Sequence, residues 1–128
     1  MMIKTGIDIL KIDRIITKAQ NEQFIINTFT DAEISYSKKR SSNVSENKKY
    51  QTLAGIYCAK EAVLKALGVG IEKLEYLKQI EVTHESSGRP KVCVSGNVLS
   101  IIQEMGIENI DISISHDGDY AIASCVLN

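Results

Sequence analysis

The sequence predicts an α+β fold in which one central helix packs on a mainly antiparallel sheet. Three observations lead there. The run from Leu53 to Leu67 is rich in strong helix formers, free of proline and stopped by Gly68. Two separated segments, Gln79 to Val94 and Asp111 to Leu127, read as hairpins folded about Glu85-Ser86-Ser87-Gly88 and Asp117-Gly118-Asp119. A further strand-like segment, Ile3 to Leu10, precedes them all.

The central helix carries most of the chemistry. Leu53, Ile56, Val63, Leu64 and Leu67 gather on one side as a core stripe, while Gly55, Ala59, Ala62 and Ala66 form a second, small-residue side. A helix so nearly apolar all round is expected to be buried on more than one face. From Leu53 to Leu67 its only charges are Lys60, Glu61 and Lys65. Glu61 and Lys65, four apart, read either as a solvated pair of roughly 0.3–0.5 kcal/mol or as a working pair. Ala54, Cys58 and Gly68 lie near them and open a groove for backbone, ligand or metal. A carboxylate and an ammonium in such a groove suit a metal ion and a phosphate. Lys60 projects from the apolar stripe, where snorkelling, pairing with a buried acid and reaching a ligand are all open.

Asp8 interrupts the apolar first strand and reads as a helix cap or as a metal ligand at a strand end. Lys11 to Ala19 forms a helix on Ile12, Ile15 and Ile16, with Arg14, Lys11 and Lys18 either solvated or turned to an acidic partner. Phe24 to Phe29 continues the helical pattern, and Thr30-Asp31-Ala32-Glu33 is a capping box for a helix to about Lys39. Arg40 to Lys49 is polar and expected to be an exposed loop. Around it Lys38, Lys39, Arg40, Lys48 and Lys49 are candidates for extra phosphates. Gly96 to Met105 is an amphipathic helix stopped by Gly106. His84 reads as a surface histidine, whereas His116, at a strand end beside a tight turn, is in a position to present its imidazole to a site.

One domain spanning 1–128 is expected, large enough for a core but short for an enclosed active site. An assembly with sites between subunits would answer that shortage. A net charge of −1 excludes the broad positive field of a nucleic-acid binder. No apolar run reaches the roughly 18–20 residues of a membrane span, and Met1 to Lys4 leads into a strand rather than a signal peptide, so a cytoplasmic location is expected. Cys58, Cys93 and Cys125 read as small buried hydrophobes.

Three segments form a pattern over essentially the whole chain: Gly6-Ile7-Asp8-Ile9 with Arg14; Ala59-Lys60-Glu61-Ala62 with Lys65-Ala66-Leu67-Gly68; and Ser115-His116-Asp117 with Tyr120-Ala121. Together they resemble the holo-[acyl-carrier-protein] synthase family, the small bacterial 4′-phosphopantetheinyl transferases. The resemblance implies transfer of the 4′-phosphopantetheine arm of coenzyme A to a serine of apo acyl carrier protein, with magnesium (Mg2+), release of adenosine 3′,5′-bisphosphate and a place in fatty acid biosynthesis. It implies Asp8 and Glu61 as metal ligands and, with Lys65, as the catalytic set. Lys65, Gly68 and His116 would meet coenzyme A, and Arg14 the acidic carrier. It further implies the transferase fold and a homotrimer with sites at subunit interfaces, for which the small-residue sides of the central helix would allow close approach.

The chemistry fits. Magnesium prefers six oxygens and keeps waters, so two carboxylates and a diphosphate suffice. A metal and a lysine meet the charge that develops on the phosphoryl oxygens and the leaving bisphosphate. The serine proton has four candidate acceptors: a metal-bound water, Glu61, Glu33 or Asp117. Two rivals stand beside this reading. A non-catalytic module binding coenzyme A or the carrier is disfavoured by two acids near a diphosphate. A broader transferase for peptide-synthesis carriers is disfavoured by the short chain.

Overall fold

A computed structural model describes residues 2–41, 47–70 and 74–128. In chain order the elements are β1 (Lys4–Lys11), α1 (Ile12–Lys18), α2 (Glu22–Thr28), α3 (Asp31–Ser41), α4 (Asn47–Leu67), a 3₁₀ turn (Leu74–Gln79), β2 (Ile80–His84), β3 (Pro90–Val94), α5 (Gly96–Glu104), β4 (Ile110–Asp117) and β5 (Tyr120–Leu127). Strands β1, β5 and β4 form one antiparallel sheet in that order, and β2 and β3 a separate hairpin. The α+β class and the antiparallel pairing agree with the sequence pattern.

Several boundaries differ from expectation. Of the loop expected over Arg40 to Lys49, Arg40 and Ser41 belong to α3 and residues 47–49 to α4; residues 42–46 lie outside the described residues, as does part of the connection after Gly70. Asp8 is not at a strand end but within β1, opposite Ala123 of β5. Nor does it cap α1, whose N-cap is Lys11 with no side-chain cap bond. Cys58 and Cys125 are buried as expected, but Cys93 is exposed, because alternation along β3 turns it outward.

Helix α4 lies across the inner face of the three-stranded sheet, where Ala121, Ala123 and Cys125 are buried beneath it. Its small residues serve this contact first. A Cβ on Gly6 would overlap the carbonyl oxygen of Ala62, and one on Gly55 would lie 2.8 Å from Ile114 Cγ2 and 3.0 Å from His116 Nε2. Glycine is therefore required where helix and strands approach most closely. The expectation that the small-residue side awaits a neighbouring subunit is corrected here: the chain's own sheet fills it. Leu53, Ile56, Val63 and Leu64 supply the opposite, larger-residue stripe of the core.

Lys60 takes the second of its three open options, a buried acid. Its ammonium donates to Glu33 Oε1 at 2.7 Å, to the Leu77 carbonyl at 2.7 Å and to the Thr28 carbonyl at 3.0 Å. Glu33 Oε1 also accepts from the Thr30 amide at 2.9 Å, completing the capping box, and Oε2 accepts from the Val82 amide at 2.7 Å. Both side chains are 0% exposed. Burial draws the Lys60 ammonium below its ordinary value while Glu33 opposes that shift. The pair ties α3, α4, the 3₁₀ turn and β2 at one point.

Removing one member leaves the other charged and buried, which costs about 3–5 kcal/mol. Lys60→Met is expected to lose stability of that order in urea unfolding at fixed protein concentration. The double variant Lys60→Met/Glu33→Gln should lose less than the sum of its singles.

Candidate active site

Three elements converge on a cleft of about 200 Å³ lined by Asp8, Arg14, Lys18, Tyr57 and Glu61. Asp8 comes from the inner face of β1, Arg14 and Lys18 from one side of α1, and Tyr57 and Glu61 from α4. The spacing 57, 61, 65 lines up Tyr57, Glu61 and Lys65 on successive turns of the helix. Lys65, however, does not close on Glu61. Its ammonium reaches across to β1, donating to Asp8 Oδ1 and to the Ile7 carbonyl, each at 3.0 Å. The solvated intrahelical pair of Glu61 and Lys65 gives way to this cross-element pair.

Glu61 is buried, and desolvation, with the nearby Asp8 charge adding to it, raises its carboxyl above the ordinary range. The Tyr57 hydroxyl, Lys65 and Lys18 act in the opposite direction. Burial and the Glu61 charge push the Tyr57 hydroxyl well above its ordinary value, so it stays protonated beside that carboxylate. The Cys58 thiol is likewise raised by burial and by Asp8, and it donates to the Ala121 carbonyl at 3.5 Å. It therefore stays protonated and inert. Among the described residues there is no group of three or more His, Cys, Asp and Glu side chains able to cage a metal. Two carboxylates lining one open cleft nonetheless fit magnesium, which takes its remaining oxygens from water and phosphate.

His116 lies elsewhere. It lines a second cleft of about 260 Å³ with Tyr36, Arg40, Lys48, Gly55 and His84, on the side of α4 away from Tyr57 and Glu61. Its Nε2 is 2.8 Å from the Gln51 carbonyl, so in this pairing Nε2 carries the proton. Of the five basic residues proposed for phosphate, Arg40 and Lys48 reach this cleft, whereas Lys38 and Lys49 line a separate groove with Ile25 and Leu53. Gly68, at φ +78° past the end of α4, has open space beside it and lines neither cleft. The structure thus brings together Asp8, Glu61, Lys65 and Arg14, and leaves His116 and Gly68 apart from them.

Two expectations about other residues are corrected. Glu33 is enclosed with Lys60 and is unavailable as a proton acceptor. His84 is no simple surface histidine: it is half-buried and stacked on Tyr36 with ring centres 3.9 Å apart and planes 7° from parallel. The sequence pattern placed Lys18 with Arg14 and Lys11 on the basic side of α1 but gave Tyr57 no role. Lys18 sits over the Phe24 and Tyr57 rings at 5.6 and 5.5 Å, and both Lys18 and Tyr57 also border a wider cleft of about 720 Å³ with Phe24 and Leu74. The available signal was the four-residue spacing of Tyr57 to Glu61 and of Arg14 to Lys18.

Residues 4–125 match the 4′-phosphopantetheinyl transferase superfamily over nearly the whole chain. The chain belongs to that superfamily. Within this transferase family it stands with the holo-[acyl-carrier-protein] synthases: it is 38% identical to that of Finegoldia magna over 127 residues, spanning 99% of this chain and 97% of the relative. The crystal structure of the transferase from Neisseria meningitidis superposes with a TM-score of 0.83 at 30% identity, covering 99% of both chains. The Helicobacter pylori enzyme, solved in complex with coenzyme A, gives a TM-score of 0.78 at 30% identity over 97% of this chain and 99% of that one.

The partial burial of His84 is expected to make the stability of this transferase sensitive to acid. Burial, and secondarily Arg40, lowers the His84 pKa, and its buried Nδ1 has no hydrogen-bond partner among the described residues. The unfolded chain therefore takes up a proton first as pH falls, and stability present above about pH 6.5 is lost below it. The thermal midpoint of the native protein should decline more steeply below about pH 6.5 than that of His84→Gln.

Proposed function

We propose that this chain, acting as one domain over 1–128, transfers the 4′-phosphopantetheine arm of coenzyme A to a serine of apo acyl carrier protein. Magnesium takes part, adenosine 3′,5′-bisphosphate leaves, and the reaction serves fatty acid biosynthesis in the cytoplasm. The observation that carries this reading is the convergence of Asp8 and Glu61 on one cleft beside the basic side of α1, with Lys65 paired to Asp8 at 3.0 Å. Among the described residues no helix is long and apolar enough to cross a membrane, which is compatible with the location proposed.

Asp8 and Glu61 would hold the metal, which supplies charge neutralisation and Lewis acidity at the diphosphate. Lys65 presents a mobile point charge to the same phosphoryl oxygens. Arg14 and Lys18, one helical turn apart, offer cations to an acidic carrier and bring its serine to the cleft; the wider groove at Phe24 and Leu74 gives the carrier an apolar seat. His116, with Arg40 and Lys48, makes a cationic cleft suited to the nucleotide end of coenzyme A, and Gly68 leaves room for the donor near Lys65. With Glu33 enclosed, Glu61 and Asp117 are the side chains left from the candidate proton acceptors.

Coenzyme A must span two clefts that one chain keeps apart, which supports sites completed between subunits. The outer face of the sheet supports the same conclusion, because Ile7 and Ile9 are 59% and 58% exposed and lie beside exposed Tyr120 and Val126. Such an apolar patch marks an interface. A homotrimer is the assembly that the family resemblance implies for it.

Incubation with coenzyme A, magnesium and apo carrier protein should add the phosphopantetheine mass to the carrier serine. A folded sample that adds none would overturn the reading. Asp8→Asn and Glu61→Gln are each expected to lower turnover by about a hundredfold or more, and near-normal magnesium-dependent rates in both would refute the metal assignment. Ile9→Asp should shift the assembly toward monomer in size-exclusion chromatography with light scattering and lower activity with it. A monomeric native protein of full activity would rule out shared sites.

A further inference from the structure

Lys60 and Lys65 of helix α4 form ion pairs of opposite character. Lys60 and Glu33 are both 0% exposed and locked by further hydrogen bonds. Lys65 and Asp8 are 44% and 14% exposed, and the lysine holds only one carboxylate oxygen and the Ile7 carbonyl. That carbonyl belongs to β1, an edge strand whose single neighbour among the described residues is β5. A half-exposed pair of this kind is weak and breaks at little cost. Its lysine is a compact charge on a flexible four-carbon stem, able to swing without moving the helix.

The carboxylate that Lys65 holds is the one assigned above to the metal, and this inference rests on that assignment. A divalent ion carries twice the charge of an ammonium at the same oxygen and outbids it at comparable distance. Glu61, one turn nearer the N-terminus of α4, has no lysine or arginine within ion-pair distance among the described residues. Competition is therefore confined to Asp8.

We propose that Lys65 is a displaceable counter-ion: without metal it neutralises and orients Asp8, and a divalent cation takes the carboxylate and frees the ammonium for the donor's diphosphate. Metal entry and phosphate capture are then coupled through one side chain. The coupling is reciprocal, since a diphosphate that draws Lys65 away leaves Asp8 open to metal.

Calorimetric titration with manganese chloride in the absence of coenzyme A tests this on the whole protein. Removing the competitor in Lys65→Gln should tighten manganese binding about two- to fivefold. Lys18→Gln removes an equal charge from the same cleft without touching Asp8 and should gain less. Manganese binding abolished by Asp8→Asn but unchanged or weakened in Lys65→Gln, or strengthened equally by both lysine variants, overturns the exchange while sparing the metal site. Manganese binding that Asp8→Asn leaves intact, or no binding at all, overturns the metal assignment and the exchange with it.

Discussion

Strand β1 runs so close to helix α4 that only glycine fits at position 6, where any side chain would strike the Ala62 carbonyl. The acidic cleft depends on that contact. With Gly6 against the helix, alternation along the strand brings Asp8 to the same inner face two residues later, beside Glu61 and Lys65. An alanine at 6 would have to push the strand outward, and the 3.0 Å pair between Asp8 and Lys65 would open with it. The geometry of the carboxylates is thus set by a residue with no chemistry of its own.

On the far side of α4 the restraint is electrostatic. The Lys60–Glu33 pair holds helix α3 and strand β2 against the central helix through five short hydrogen bonds. A buried ion pair is weak evidence for net stability, since desolvation offsets much of its attraction. Its directional bonds do fix how α4 is rotated, and that rotation aims Tyr57 and Glu61 into one cleft and Gly55 toward His116 in the other.

Local signals in the sequence were read well. Periodicity located α4 and both hairpins, the Thr30–Glu33 spacing located a helix start that the structure closes with reciprocal bonds of 2.9 and 3.2 Å, and the burial of α4 followed from its lack of a polar face. Choices between distant partners were not legible. Lys60 finds an acid twenty-seven positions earlier in the chain, and Lys65 prefers Asp8 on another element to Glu61 one turn away. No spacing rule encodes either, because each depends on which elements pack together. The family resemblance named Asp8, Glu61 and His116 as one site, but the separation of His116 into its own cleft emerged only with the helix in three dimensions.

The pairing of β1 along its whole length with β5 carries a consequence for synthesis of the chain. Strand β1 leaves the ribosome well before β5, its one sheet partner among the described residues. Until β5 emerges, β1 with its exposed isoleucines has no ladder to join. Such non-local closure slows folding and leaves an unpaired edge exposed to misassembly. Asp8, proposed to hold the metal, is therefore translated long before the strand that fixes its working position.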